Sequence, residues 1–118
     1  MSTSSEPQPR TALVTGSGSG IGAAVAKRLA QPGTRLLIHA RSNQDGCEKT
    51  ADAVKTAGGE AQIMLGDLAE PDTAGKLIGH AVDTFGSLDV LVANAGFPVL
   101  KPFGELEADD MDYAYRVI

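Results

Sequence analysis

Residues 11–22 read TALVTGSGSGIG. The opening residues, 11–15, favour a short buried strand with Leu13 and Val14 at its centre. Gly16, Gly18, Gly20 and Gly22 follow, four side-chain-free positions within seven residues. The continuation, IGAAVAKRLA, brings Ile21, Val25 and Leu29 back at four-residue spacing. That spacing predicts a helix with those three side chains on its packing face. A strand, a tight turn and a helix start together make a place for phosphate. The first amides of a helix lack internal partners, and the helix dipole adds positive potential there. Glycines let the backbone come close to a pyrophosphate and let helix and sheet pack tightly.

Three registers overlap in this turn and imply different ligands. Gly16-x-x-x-Gly20-x-Gly22, preceded by Thr15, closely resembles the nucleotide loop of the short-chain dehydrogenase/reductase family. Gly18-x-Gly20-x-x-Ala23 fits the general dinucleotide pattern. Gly16-x-Gly18-x-Gly20 is similar to the loop of methyltransferases that use S-adenosylmethionine. The Walker phosphate loop is excluded, because no Gly-Lys-Ser/Thr follows. A flexible turn without a ligand is the plain alternative.

Outward from this stretch, strands and helices alternate. Pro32-Gly33 ends the first helix. A second strand over residues 35–40 has the apolar centre LLI, which suits burial on both faces. Residues 44–57 read as a helix packing Cys47, Ala51 and Val54, stopped by Gly58-Gly59. The third strand covers residues 60–65 and leads into Gly66-Asp67-Leu68. Pro71 marks the first turn of a helix that runs to Phe85, with Ala74, Leu77, Ile78, Ala81, Val82 and Phe85 on one face. A fourth strand over residues 88–93, LDVLVA, runs into Asn94-Ala95-Gly96. The last helix starts near Glu105 and carries Met111, Ala114, Tyr115 and Ile118 on its apolar face.

This pattern predicts an α/β fold, a Rossmann-type doubly wound parallel sheet of strand order 3-2-1-4, built by right-handed crossovers, as the first part of a larger sheet. The ligand crevice belongs at the switch between strands one and four. It gathers Gly16 to Gly22, Arg41, Asp67 and Asn94 to Gly96, all at carboxyl ends of strands.

Composition sets further bounds. The 118 residues suffice for a domain with a real core, and 42% apolar content is ordinary for one. No apolar run approaches the roughly 18 residues that would suggest a membrane span. Residues 1–9 are Ser- and Pro-rich, lack an apolar signal segment and read as a disordered leader; residues 10–118 form the domain. The net charge of −5 argues against general nucleic-acid binding. The single Cys47 excludes an internal disulfide framework and suits a reducing compartment, so a cytoplasmic location is expected. No metal site is expected. His39 and His80 lack a partner pattern and read as structural or exposed, and the acid-rich residues 105–112 read as a solvated helix start.

The end of the second strand separates the candidate ligands. A free ribose, in NAD or S-adenosylmethionine, favours a carboxylate there. The 2′-phosphate of NADP favours a guanidinium with paired N–H donors. The strand ends His39-Ala40-Arg41, followed by Ser42 with a hydroxyl donor. Neither His39 nor Ala40 is acidic and Arg41 is cationic, which points to NADP(H) over NAD(H) and away from the methyltransferase. Ser19 is not basic, whereas NADP-preferring members of the family often have a basic residue there.

The family resemblance extends over residues 10–118 and matches three motifs in order and spacing. It implies that Gly16, Ser17, Ser19, Gly20, Ile21 and Gly22 form the nucleotide loop. Gly66-Asp67-Leu68 resembles the adenine-contacting segment, where Asp67 meets the exocyclic amine and the amide of Leu68 the ring. Asn94-Ala95-Gly96 is similar to the motif that borders the adenosine ribose and steadies the central sheet. The spacing favours the classical branch of the family. Asp67 and Asn94 also have plain readings, as a turn or capping acid and a turn residue.

The resemblance implies hydride transfer between a nicotinamide and a carbonyl or alcohol substrate. The family's catalytic Tyr-x-x-x-Lys is not found: Tyr113 meets Val117 at that distance, Tyr115 has no such residue, and the last lysine is Lys101. No catalytic residue is therefore assigned. The family's relay Asn aligns at or beside Ile118. The last helix keeps its apolar face to the final residue, so the chain is expected to be the N-terminal, cofactor-binding part of a longer reductase that forms a homo-oligomer. The other reading is a non-catalytic NADP(H)-binding module or sensor.

Overall fold

The computed structural model describes residues 10–94. They form β1 (Arg10–Val14), α1 (Gly20–Leu29), β2 (Thr34–Ala40), α2 (Gln44–Thr56), β3 (Glu60–Leu65), α3 (Thr73–Phe85) and β4 (Val90–Val92). The strands make one parallel sheet in the order β3-β2-β1-β4. The predicted fold and strand order are therefore found. The expected leader, Ala95, Gly96 and the last predicted helix lie outside the described residues.

Side chains alternate across the strands, and each face collects its own cluster. Ala12 and Val14 of β1 and Leu36, Ile38 and Ala40 of β2 point to one face, where they pack with Ala26, Cys47, Ala51 and Val54 of α1 and α2. Leu13 and Leu37 point to the other face and meet Leu77 and Ala81 of α3. The register supports this sorting: Leu13 lies opposite Leu37 on one side and Leu91 on the other. The centre of β2 is fully buried, as expected for a strand covered on both faces.

Four boundaries or faces differ from the sequence reading. Ile21, expected to pack, is 75% exposed, and α1 instead buries Gly22, Ala23 and Ala26. The first turn of the helix lies so close to the turn behind it that no side chain fits at Gly22, while Val25 and Leu29, expected on the same face as Ile21, do pack on the core. α3 begins at Thr73 rather than Pro71. The intervening turn closes on Asp67, whose carboxylate accepts from the Ala69 amide at 2.9 Å and whose carbonyl accepts from the Glu70 amide at 2.9 Å. On α3, Ile78 and Val82 are exposed while Leu77 and Ala81 are buried. β4 is shorter than its apolar run because Asp89 breaks the ladder's start. Its carboxylate accepts from the Thr11 amide at 2.9 Å, and its own amide donates to the Thr11 carbonyl at 2.9 Å.

These placements give opposite expectations for two apolar residues. Leu77→Ala should cost about 2–5 kcal/mol in urea unfolding, the usual range for a buried leucine. Ile21→Ser should change stability by less than about 0.5 kcal/mol, as for a surface position. A larger loss from Ile21→Ser would return Ile21 to the core.

Candidate nucleotide-binding site

The glycine turn links the end of β1 to α1 and is held from three sides. From the α1 side, a Cβ on Gly22 would run into the Gly16 carbonyl and lie 2.6 Å from Asn94 Nδ2. Glycine at position 22 is therefore a packing requirement, because it lets the helix start directly against the turn. From the β4 side, the Asn94 amide donates to Thr15 Oγ1 at 2.9 Å, and Asn94 Nδ2 donates to the carbonyls of Thr15 and Gly16, each at 3.4 Å. Asn94 thus ties the end of β4 to the turn.

From the α2 side, Asn43 caps the helix by accepting from the Gly46 amide at 3.0 Å and donates from Nδ2 to the Gly18 carbonyl at 3.4 Å. Gly46 faces Gly18 so closely that a Cβ would collide with the Gly18 carbonyl. Neither role was read from the sequence. A glycine inside an otherwise regular helix was the available signal, since it marks a close backbone approach.

Ser17 is fully buried, and its polar groups are engaged within the protein. Its hydroxyl donates to the Val14 carbonyl at 2.7 Å and accepts from the His39 amide at 3.0 Å. Its amide donates to the His39 carbonyl at 2.7 Å, and its carbonyl accepts from Thr50 Oγ1 at 2.9 Å. Ser17 is therefore scaffold, and the exposed tip of the turn is Ser19, Gly20 and Ile21. Ser19 is the N-cap of α1 but makes no side-chain cap. The Ala23 amide bonds to the Ser19 carbonyl at 3.2 Å, so the amides of residues 20–22 precede the helix's own i−4 ladder. That tip is a cluster of donors at the positive end of a helix.

Arg41 and Asp67 leave adjacent strands, β2 and β3, and meet beside the turn. Arg41 Nε lies 3.6 Å from Asp67 Oδ2, with the two side chains 54% and 26% exposed. Ser42 is exposed next to Arg41, and Leu68 packs its side chain against the α3-side cluster. The structure thus brings residues 16–22, Arg41, Ser42, Asp67, Leu68 and Asn94 to one end of the sheet; Ala95 and Gly96 lie outside the described residues. Cys47 is buried on the inner side of the turn, where burial pushes its thiol pKa up and leaves it unreactive. Among the described residues, no three His, Cys, Asp or Glu side chains group to hold a metal, and no helix is long and apolar enough to cross a membrane.

The family model described as short chain dehydrogenase matches residues 10–117. The chain belongs to the short-chain dehydrogenase family. It is 36% identical over 108 residues to a versicolorin reductase of Emericella nidulans, a match that covers 92% of this chain and 41% of that one. A short-chain dehydrogenase from Burkholderia cenocepacia, solved in complex with NADP, superposes with a TM-score of 0.86 at 34% identity, covering 93% of this chain and 45% of that one. A metagenomic short-chain oxidoreductase, also solved with NADP, gives 0.82 at 31% identity, covering 93% and 50%. The chain therefore spans about two-fifths of that curated reductase's length and half or less of the solved chains.

Two expectations follow for the site's scaffold. Gly22→Ala should destabilise by about 1–3 kcal/mol through forced overpacking. Gly75→Ala, at an open position of α3, should stabilise by about 0.5–1 kcal/mol. Urea midpoints of the two variants decide it, and similar shifts would remove the packing argument. The second expectation concerns pH. Burial lowers the pKa of His39, partly offset by its hydrogen bond to Gly66. The unfolded chain then takes up the proton first, so stability is full above the unfolded value of about 6.5 and falls as pH drops below it. Unfolding midpoints between about pH 8 and pH 5 should show that loss, and His39→Asn should flatten it.

Proposed function

We propose that this chain carries the nucleotide-binding part of an NADP(H)-dependent oxidoreductase that transfers a hydride between the nicotinamide and a carbonyl or alcohol substrate. The observation that carries the cofactor reading is Arg41. It follows the last residue of β2, where a ribose-binding carboxylate would otherwise stand, at the same end of the sheet as the donor-rich turn. Its ion pair with Asp67 is long and open to solvent on the Arg41 side, and surface pairs contribute about 1 kcal/mol or less, so a 2′-phosphate carrying more charge can compete for it. The two solved relatives named above hold NADP, which supports the same choice.

In this reading the tip at Ser19, Gly20 and Ile21 takes the pyrophosphate on backbone amides, and Gly16 and Gly22 keep the approach open. Arg41 and Ser42 take the 2′-phosphate, Asp67 and the Leu68 amide meet the adenine, and Asn94, Ala95 and Gly96 border the ribose. The bound nicotinamide supplies the hydride chemistry, and this chain's residues bind and orient it. A cytoplasmic location and a homo-oligomeric assembly belong to the same proposal.

Titration of the protein with NADPH and NADH tests it. Arg41→Ala should weaken NADPH about 10–100-fold, the loss expected for a charge-assisted contact, and leave NADH nearly unchanged. Equal losses for both nucleotides would remove the 2′-phosphate role.

A further inference from the structure

His39 lies near the end of β2, 2% exposed, between the two loops that flank the crevice. Its ring bonds to both. The Gly16 amide donates to Nδ1 at 3.0 Å, and Nε2 lies 2.8 Å from the Gly66 carbonyl. A carbonyl only accepts, so Nε2 carries the proton and Nδ1 is bare, the tautomer that can receive the Gly16 N–H. The partner at Gly66 thus fixes the ring form that serves Gly16.

We propose that His39 is a positioning residue for nucleotide binding, its imidazole holding the glycine turn through Gly16 and coupling it to the Gly66–Leu68 segment. This rests on the nucleotide-binding reading above. The main chain of His39 also grips the turn, through Ser17, but any residue except proline at position 39 could supply those bonds. The bonds to Gly16 and Gly66 need this side chain. Gly16 has φ +65°, in the left-handed region, and no side chain of its own to restrict it. Its amide is fixed from across the sheet by Nδ1. A turn held in this way presents its remaining amides without an ordering cost on binding.

Asparagine and glutamine divide the ring's two bonds. The Asn side-chain oxygen reaches about where Nδ1 stands and can accept from Gly16. The Gln side-chain nitrogen reaches about where Nε2 stands and can donate to Gly66. The full chain and its His39→Asn and His39→Gln variants are titrated with NADPH and NADH, and amide exchange at Gly16 is followed without nucleotide. His39→Asn should bind within about threefold of wild type, and His39→Gln about tenfold more weakly, the worth of one lost buried hydrogen bond. Both nucleotides should weaken alike in His39→Gln, because the turn serves the pyrophosphate they share. Gly16 exchange should be slow in wild type and His39→Asn and faster in His39→Gln.

Wild-type binding with an unaltered His39→Gln overturns this inference alone. So do equal losses in the two variants that track their melting temperatures, since a purely structural histidine would produce them. A wild type that binds neither nucleotide overturns the proposed function and this inference together.

Discussion

The approach of Gly22 to the Gly16 carbonyl is the contact on which the rest of the structure depends. It brings the first turn of α1 against the end of β1 with no side chain between them. Once the helix starts there, its most buried positions are Gly22, Ala23 and Ala26, Ile21 is turned outward, and Val25 and Leu29 pack on the core from partly buried positions. The same contact leaves the helix N-terminus open at the carboxyl end of the sheet. The packing of the helix and the exposure of its first amides are thus set by one steric fact. A side chain at position 22 would disturb both, because the helix would move away from the strand and its amides would move with it.

Around that contact the protein buries a set of polar side chains. Thr15, Ser17, His39 and Thr50 are all buried, and each hydrogen-bonds to the glycine turn or to the strand ends beside it. Buried polar groups are costly when unpaired and directional when paired. Here they fix a turn that glycines alone would leave loose. The apolar clusters hold the layers together without fixing this geometry. The outer end of the crevice is different: there Arg41, exposed, and Asp67, half-buried, form a long ion pair. A rigid turn beside a charged rim suits the nucleotide reading proposed above.

The layer order was legible because a parallel sheet imposes strong local patterns. The LLI centre of β2 could only be buried on both faces, and right-handed crossovers left few strand orders to choose from. Most of the candidate site was legible too, because the residues that follow the strands must gather at one end of the sheet. Reading by periodicity failed at Ile21, where backbone proximity overrode apolar spacing, and at Ile78 and Val82, where α3 meets the sheet along a stripe of Leu77 and Ala81 narrower than its apolar face. At β4 the apolar run suggested a longer strand, but a carboxylate seventy-eight positions from its partner amide took over the ladder's first bond.

The sequence by itself determined the fold class, the strand order, the turn and the cationic residue that closes β2. These follow from short-range causes: alternation along strands, glycines in a tight turn, and charge at a strand end. The packing of the layers settled which of those residues stand exposed at the end of the sheet and which hold the others in place. Ser17 sits inside the motif yet is wholly committed to the protein, while His39, with no motif of its own, bonds to two loops. Asn43 and Gly46 belong to the turn's support although they open a different helix. The reason is that a hydrogen bond between residues far apart in the chain leaves no periodic trace. It depends on the distance and direction between two backbones, and those exist only once the layers have packed.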